Sequence, residues 1–534
     1  MASGAIKVAS GILLSRITGF VREMVVAALM GTTAYADVFR FLLRAPNLLQ
    51  NLLGEQTLSA ALIPAYSRRL EQGDPEGARR LAGTVLGWLI VIVVLLAATG
   101  SLLAEPFVGL VMPGWLVESA SGTEVDRFAL AVQGVRWMFP AIGFLVLSAW
   151  ALAVLNSHRK FLVSYTAPIV WNIAIACALI AAAKGYFGEN SSGSLLVMAG
   201  VFGVLAGSVL QFLVQLPFVR REAGTLPLRW PRRSRGVDQV AKAMGPLMAG
   251  RGVVQFSAYV DQLLASFIAA GGVAVLGYSQ TLFLLPVALL GMSMAAAELP
   301  ALSRQLERDG IEELAPRVRT ALRRTGILAV PATIGFLLLG MFLVRVAFQR
   351  GRFGAEDSTL TWLVLAAYSL GLMATIASRQ LQNVFVAAAR TKTPARIAAL
   401  RVLVSAVVGV PAMLYLDQYS VPGFDDGARQ LGAVGLALGS GLAAWVELAA
   451  LKRALARLEF RRLLPTELWL QSMGLSLLAA IIAWGVWLAL DRAQVGDWKD
   501  LVALGCYAAS YVIAVRIVGF QEIADWFQPS AEGE

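Results

Sequence analysis

Two twelve-residue segments, AALIPAYSRRLE at residues 60–71 and AAELPALSRQLE at residues 296–307, repeat each other along the chain. Eight of the twelve positions match at one constant offset. Because proline, serine, arginine and glutamate all fall in register, chance within a low-complexity sequence explains the match poorly. We therefore interpret the chain as the product of an internal duplication.

The composition of the chain is typical of a membrane protein. Of its 534 residues, 58% are hydrophobic and 15% are charged, whereas a soluble domain carries about 25% charged residues. Its apolar stretches run for about 20 to 30 residues without the two-residue alternation of strands. Lipid satisfies no backbone hydrogen bonds, so spanning segments of this length must be helical. The sequence predicts an all-α polytopic membrane protein.

The hydrophobic pattern predicts fourteen transmembrane helices. The first apolar stretch contains charged residues, which favours a membrane helix over a cleaved signal peptide. Pro46 and Gly54 interrupt the second span, and we expect a kink or a break there. The predicted spans are 6–30, 34–64, 81–104, 128–155, 161–183, 194–218, 240–268, 273–300, 322–347, 359–387, 394–416, 431–451, 467–490 and 500–520.

Basic residues alternate between the two sides of the predicted membrane. Loops that lead from even to odd spans carry 28 Lys and Arg residues, and the opposite loops carry 7. Since cytoplasmic loops carry the basic excess, both termini are predicted to be cytoplasmic. The two copies of the repeat end spans 2 and 8. An even shift of six spans predicts a parallel repeat about an axis along the membrane normal.

The duplication predicts two six-helix lobes followed by two appended helices. We place the N-lobe at residues 1–218, a basic cytoplasmic linker at 219–239 and the C-lobe at 240–451. The last two helices and the tail occupy residues 452–534. This is the architecture of an alternating-access transporter with its site between the lobes, whereas a channel or a membrane enzyme predicts no such duplication.

The chain offers few residues for covalent chemistry. His158 is its one histidine, and Cys177 and Cys506 lie in separate apolar segments as small hydrophobes. The sequence contains no P-loop, Cys/His cluster or nucleophile elbow. We expect no catalytic residues and no enzymatic activity. The net charge of +11 follows the loops, so we predict no nucleic-acid partner.

Several ionisable side chains fall within the predicted spans, where each costs at least roughly 2.5 kcal/mol on insertion scales. Two interpretations stay open for the arginines: they reach the headgroups from helix ends, or they line a water-filled cavity. Asp261 is too short to reach far, which favours a cavity or ion role. Arginine forks suit diphosphate, so the excess of arginine predicts an anionic headgroup as substrate. The residues are Arg16, Arg22, Asp37, Arg40, Arg44, Glu55, Arg251 and Asp261.

Six short motifs, taken together, point to one family. They are SRITGFVRE at 15–23, ADVF at 36–39, PNLL at 46–49 followed by Gly54-Glu55, LSAALIP at 58–64, FQRGRF at 348–353 and TKTP at 391–394. From about residue 5 to 520 the chain resembles the MurJ (MviN) family, the lipid II flippases of bacterial peptidoglycan synthesis. The resemblance implies a fourteen-helix member of the multidrug/oligosaccharidyl-lipid/polysaccharide exporter superfamily.

The resemblance implies that Arg16 and Arg22 line a central cavity with Asp37 close by. The chain departs from the family pattern at Gln50, which replaces a basic residue, and at Thr281, which stands where helix 8 usually carries an arginine. We infer that Arg251 supplies the missing charge. The predicted substrate-binding residues are Arg16, Arg22, Asp37, Arg44, Glu55 and Arg251.

Some relatives bind sodium through an aspartate of helix 7, which Asp261 resembles. Helix 11 offers Ser405 and no carboxylate to complete such a site. We otherwise predict no cofactor. Sodium, protons and the membrane potential all remain candidate sources of energy.

The resemblance implies flipping of lipid II, an undecaprenyl-diphosphate-linked glycopeptide, between the leaflets of the bacterial inner membrane by alternating access. Membrane lipids and cell-wall synthesis proteins are the other expected partners. One alternative is a same-superfamily exporter of another polyprenyl-diphosphate oligosaccharide. A second is a drug/cation antiporter, which should favour acidic cavity residues. A membrane glycosyltransferase or phosphatase would need clustered carboxylates or a histidine.

Overall fold

The computed structural model is built of helices throughout the residues that it describes. It contains no strand among them, and one isolated β-bridge joins Ser420 to Gln430. The predicted all-α fold class is confirmed. The described residues are 2–53, 55–122, 125–187, 192–224, 236–245, 248, 263–292, 298, 302, 304–308, 314–388, 390, 392–424, 429–457, 463–496 and 498–520, without the side chains of 2–9, 45–56 and 292.

The chain divides into two compact units, Met1–Ala274 and Val275–Glu534. The lobe, linker and tail boundaries drawn from the sequence stay predictions. The labelled helices of the first unit are α1 Ala2–Met30, α2 Ala34–Leu53, α3 Glu55–Glu71, α4 Pro75–Leu102, α5 Ala104–Val111, α6 Pro113–Ala120, α7 Arg127–Ser157, α8 Phe161–Ala183 and α9 Gly193–Ala223.

Helix α7 forms the centre of the first unit. It packs against α2, α3, α4 and α9, and most of its residues are buried. Its glycines let neighbouring side chains approach the backbone: a Cβ at Gly134 would lie 2.3 Å from Leu42, and one at Gly143 would lie 2.3 Å from Val93. Small residues at such contacts are how helices pack closely in lipid, where burial of apolar surface gives little driving force.

Helix α10, Gly272–Pro286, begins just before the boundary and continues into the second unit. A π-helix at Val287–Met292 follows it directly. Its α15 and α16 are paired through glycines, because a Cβ at Gly439 would lie 2.5 Å from the Cα of Gly409. The remaining labelled helices are α11 Ala315–Leu338, α12 Gly340–Phe348, α13 Ala355–Ser369, α14 Leu372–Ala387, α15 Lys392–Leu416, α16 Gly432–Ala456, α17 Thr466–Arg492 and α18 Trp498–Val518.

The last two helices are anchored to α11 where a proline opens that helix. Pro331 has no N–H, so the carbonyl of Ile327 loses its intrahelical donor. The hydroxyl of Tyr511 in α18 donates to this carbonyl at 2.5 Å, and the hydroxyl of Tyr507 donates to the carbonyl of Pro331 at 2.7 Å. Ser472 of α17 lies 2.8 Å from the same Tyr511 hydroxyl. The hydroxyl of Tyr511 thus replaces the one backbone donor that α11 lacks, and Tyr507 adds a second hydrogen bond beside it.

Tyr511→Phe should lower the free energy of unfolding by about 1–3 kcal/mol, because it leaves the carbonyl of Ile327 buried without a donor. Thermal unfolding of the purified protein in detergent measures the loss. Tyr415→Phe is a matched control, since the Tyr415 hydroxyl meets that of Tyr419 on the exposed surface. Equal midpoints for the two variants would contradict the anchoring role.

Ten helices among the described residues are long and apolar enough to cross a membrane. The pair α13 and α14, bent by 41°, gives an eleventh when it is counted as one span. The predicted number of fourteen is therefore unconfirmed, and most of predicted span 7 lies outside the described residues. Predicted span 2 covers α2 and part of α3, and its expected break at Gly54 stays a prediction, because Gly54 lies outside the described residues. Predicted span 9 consists of two helices, α11 and α12.

The segment between predicted spans 3 and 4 is not a simple loop. It contains α5 and α6, and Pro113 occupies the first turn of α6, where its missing N–H has no cost. Val108, Met112 and Trp115 of this segment are buried. The sequence interpretation missed these helices because it looked for long apolar runs. The second copy of the repeat lies largely outside the described residues.

Candidate functional site

Two arginines and one glutamate meet inside the first unit. Nη2 of Arg22 in α1 donates to Oε1 of Glu23 at 2.5 Å, and Nη2 of Arg40 in α2 lies 2.6 Å from the other carboxylate oxygen. Nη1 of Arg22 donates to Oδ1 of Asn172 in α8 at 2.9 Å. The Arg22 guanidinium also lies 5.0 Å from the ring centroid of Trp171. We call Arg22, Glu23, Arg40 and Asn172 the arginine cluster.

Among the described residues, the arginine cluster carries an excess of positive charge, since the guanidinium groups of Arg22 and Arg40 share the carboxylate of Glu23. None of its three charged side chains is more than 14% exposed. Nε of Arg22 is buried and has no hydrogen-bond partner among the described residues. Charge–charge interactions are stronger in such surroundings than in water. Chemically, the arrangement can hold an anion such as a phosphate group.

A second buried ion cluster joins α2, α6 and α7. Nη1 of Arg127 donates to Oδ2 of Asp37 at 2.9 Å, and its Nε donates to Oε2 of Glu118 at 2.7 Å. Asp37 is fully buried, and the Arg127 side chain is 5% exposed. The guanidinium lies 5.4 Å from the ring centroid of Trp115. Two carboxylates outnumber the one guanidinium group here, so this cluster offers less to an added anion than the arginine cluster does.

Asp37 also accepts hydrogen bonds from the chain at the start of α10. The backbone N–H groups of Gly271 and Ala274 each donate to its carboxylate at 2.7 Å. A carboxylate at a helix N-terminus accepts hydrogen bonds from N–H groups that lack an intrahelical partner, and the helix dipole stabilises its negative charge. Asp37 and Arg40 stand three residues apart on α2, but they belong to two different clusters.

The other predicted site residues are not brought together in the described part of the chain. Arg16 is exposed on α1 and makes no ion pair or hydrogen bond with a described residue. Arg44 is half-buried, and Glu55 begins α3 with its side chain outside the described set. Arg251 and Asp261 lie outside the described residues. Their predicted roles in binding substrate and sodium stay predictions.

Sequence reasoning missed three residues that complete these clusters: Arg127, Glu118 and Asn172. For Arg127 the sequence carried one signal: it is the single basic residue of the segment 104–127, which lies on the predicted non-cytoplasmic side of the membrane, where basic residues are few. Asn172 was visible only as a polar residue within predicted span 5. Its partner Arg22 lies 150 positions away, which no local pattern encodes.

The segment FQRGRF has a structural role in the second unit. The rings of Phe348 and Phe353 lie 5.3 and 5.4 Å from that of Tyr278 between centroids. Arg350 donates to two carbonyls at the end of α12. Thr281 donates to a carbonyl of its own helix at 2.9 Å, so α10 carries no charge there, and compensation by Arg251 stays a prediction.

The single histidine takes part in a packing contact at the end of α7. Nε2 of His158 lies 2.9 Å from the hydroxyl of Tyr66. Burial lowers the pKa of His158 below its ordinary value, which favours the neutral ring.

A family model described as lipid II flippase MurJ matches residues 26–504. The chain belongs to the lipid II flippase MurJ family. A probable lipid II flippase MurJ of Haemophilus influenzae is 32% identical over 83% of this chain and 84% of that protein. The lipid II flippase MurJ of Burkholderia cenocepacia is 30% identical over 95% of this chain and 96% of that protein. The resemblance seen in the motifs is confirmed.

Solved structures show the same fold as this MurJ-family chain. A lipid II flippase MurJ in an inward closed conformation superposes with a TM-score of 0.74 at 21% identity, over 97% of this chain and all of that one. An inward-facing multidrug resistance MATE family transporter of the MOP superfamily superposes with a TM-score of 0.64 at 15% identity, over 84% of this chain and 96% of that one. At these identities the likeness establishes the fold.

In this MurJ-family chain, the motif SRITGFVRE supplies two members of the arginine cluster, Arg22 and Glu23. The motif ADVF supplies Asp37, and Arg40 follows it on α2. Two of the six motifs therefore contribute residues to the two buried ion clusters of the first unit.

Proposed function

We propose that this chain flips lipid II from the cytoplasmic to the periplasmic leaflet by alternating access. The arginine cluster carries the proposal, because it brings two guanidinium groups together around one carboxylate among apolar helices, which leaves a positive charge among the described residues. A diphosphate headgroup would neutralise that charge through charge-assisted hydrogen bonds. The names of the Haemophilus influenzae and Burkholderia cenocepacia relatives, both lipid II flippases, support the same substrate.

Binding of the headgroup would compensate for the cost of keeping arginines at bilayer depth. Arg22 already has two partners, Glu23 and Asn172, which hold its guanidinium in one orientation. Its free Nε would then point a donor at the ligand without a further loss of side-chain entropy. The polyprenyl tail would stay in lipid. No bond is made or broken, so we propose a transporter without enzymatic activity.

We place this multi-pass membrane protein in the bacterial inner membrane with both termini in the cytoplasm. The excess of basic residues in alternate loops supports this orientation. Lipid II, membrane lipids and cell-wall synthesis proteins are the proposed partners. Sodium at Asp261, protons or the membrane potential would supply the energy.

Expression of this chain should restore growth to a bacterium depleted of its own lipid II flippase. It should also restore cleavage of lipid II by a hydrolase confined to the periplasm, which reports the flipped lipid directly. Arg80→Ala is a suitable control, since its partner Glu76 lies on an exposed helix surface. A well-expressed protein that restores neither readout would overturn the proposal.

An exporter of another polyprenyl-diphosphate oligosaccharide would use the same cluster, because it recognises the same diphosphate. Loss of rescue together with export of a different lipid-linked sugar would indicate that activity. The fold shared with a MATE family transporter brings in a drug/cation antiporter as another candidate. The excess positive charge of the arginine cluster disfavours a cationic substrate.

A further inference from the structure

A buried carboxylate lies within the apolar part of α16 in the second unit. Glu447 is 3% exposed and stands nine residues before the end of that helix at Ala456. An ionised carboxylate at this depth requires a counter-charge and hydrogen-bond donors. Its position therefore points to a built polar site.

Two neighbouring helices supply the donors. Nη1 of Arg401 in α15 donates to Oε2 of Glu447 at 2.7 Å, and Nε2 of Gln382 in α14 donates to Oε1 at 2.8 Å. Each carboxylate oxygen thus has one donor, and Arg401 alone balances the charge. The Arg401 side chain stays 30% exposed, so part of its guanidinium faces away from Glu447.

A second arginine adds charge that this carboxylate does not balance. Arg379 lies three residues before Gln382 on α14, so the two side chains share a face of that helix, and Gln382 contacts Glu447; Arg379 is near enough to Glu447 and Arg401 to interact with their charges. It is exposed and makes no hydrogen bond or ion pair with any described residue. The aliphatic part of the Arg379 side chain packs beside Gly291 of the π-helix: a Cβ added at Gly291 would lie 3.7 Å from Cγ of Arg379.

Reaching the headgroups from a helix end explains Arg379 poorly. It stands eight residues before the end of α14 at Ala387, which is about 12 Å along the helix axis. That distance exceeds the reach of an arginine side chain. Arg401 stands nine residues after the start of α15 at Lys392, and it is tied to Glu447. Two guanidinium groups and one carboxylate leave one positive charge among the described residues here.

We propose that Arg379 and Arg401 form an anion subsite in the second unit that binds the diphosphate of the lipid-linked substrate. Arginine presents paired donors that match phosphate oxygens. Glu447 offsets part of the positive charge of the subsite and contacts one side of the Arg401 fork, which leaves the other side for the ligand. Gln382 positions Glu447 in turn. The diphosphate assignment rests on the proposed function, whereas the phosphate chemistry rests on the side chains alone.

The test measures binding of inorganic pyrophosphate to the full-length protein in phosphatidylcholine nanodiscs by calorimetry. Arg379→Gln should weaken binding roughly 10- to 100-fold, because a charge-assisted contact is lost. The affinity of Arg379→Lys for pyrophosphate should lie between those of the wild type and Arg379→Gln, because lysine keeps the charge but lacks the paired donors of arginine. Arg396→Gln is the matched control. Arg396 is an exposed arginine in the first turns of α15, the helix that carries Arg401, and the variant should bind pyrophosphate like the wild type.

Glu447→Gln provides a readout of opposite sign. Removal of the carboxylate leaves both guanidinium groups unbalanced, so pyrophosphate should bind more tightly than it does to the wild type. A purely structural ion pair would give weaker or unchanged binding. Arg379→Gln changes an exposed residue, so it decides the question even where Glu447→Gln fails to fold.

Binding by Arg379→Gln that matches the wild type would overturn the subsite. A phospholipid headgroup is the other source of the same phosphate chemistry. Loss of the Arg379-dependent binding in nanodiscs that also contain phosphatidylglycerol would assign the site to that lipid and overturn the diphosphate assignment. Failure of growth rescue with intact Arg379-dependent binding would contradict the proposed function and leave the anion subsite standing.

Discussion

Arg127→Ala should lower the free energy of unfolding by about 3–5 kcal/mol, the largest loss of stability that we expect from one substitution. The substitution leaves Asp37, which is fully buried, without its counter-charge. The two backbone N–H groups that also donate to Asp37 compensate only in part, because they carry no net charge. Chemical or thermal unfolding of the purified protein measures the loss.

The matched control is Arg80→Ala, which removes an arginine whose ion pair with Glu76 is exposed. Exposed pairs contribute about 0–1 kcal/mol, so this variant should unfold near the wild type. Adding Asp37→Asn to Arg127→Ala should recover part of the lost stability, since the stranded charge disappears. An Arg127→Ala protein as stable as the control would show that the buried pair contributes little.

Arg22→Ala should abolish rescue of a flippase-depleted strain while the protein stays abundant in the membrane. Glu23 keeps Arg40 as its counter-charge, so the fold tolerates the loss of Arg22 better than the loss of Arg127. The excess positive charge of the arginine cluster disappears with Arg22. Loss of one charge-assisted contact weakens binding of a diphosphate lipid on the order of 10- to 100-fold.

Arg22→Lys separates charge from geometry. Arg22 uses two different nitrogens for Asn172 and Glu23, and lysine has a single nitrogen that cannot serve both. We therefore expect the lysine variant to rescue growth poorly. Arg16→Ala is the informative companion: it should leave stability unchanged, because the exposed Arg16 has no described partner. Growth of Arg22→Ala cells at wild-type expression would show that Arg22 is only an interfacial anchor.

The structure shows one break within a predicted span that the sequence did not signal. The break that Pro46 and Gly54 predict for span 2 stays a prediction, because Gly54 lies outside the described residues. Span 9 was read as continuous, but it breaks at Leu339 between α11 and α12. Glycine is common within transmembrane helices, so Gly340 by itself does not predict a break. The change of direction there depends on packing against neighbouring helices.

The sequence by itself determined the class, the family and the residue types of the site. Apolar segments long enough to span lipid leave the helix as their only stable form. The motif SRITGFVRE placed Arg22 and Glu23 one residue apart, and the abundance of arginine pointed to an anionic substrate. These conclusions depend on composition, segment length and local spacing, which any single chain displays.

Only the tertiary structure decided which charges meet. Arg127 and Asp37 are 90 positions apart, and Arg401 and Glu447 are 46 positions apart. A helical period shows which residues share a face, but it does not show which helix lies opposite that face. That choice depends on the rotation of each helix and on close contacts through small residues such as Gly439. The ion clusters are therefore properties of the packed helices, and local sequence signals could not reveal them.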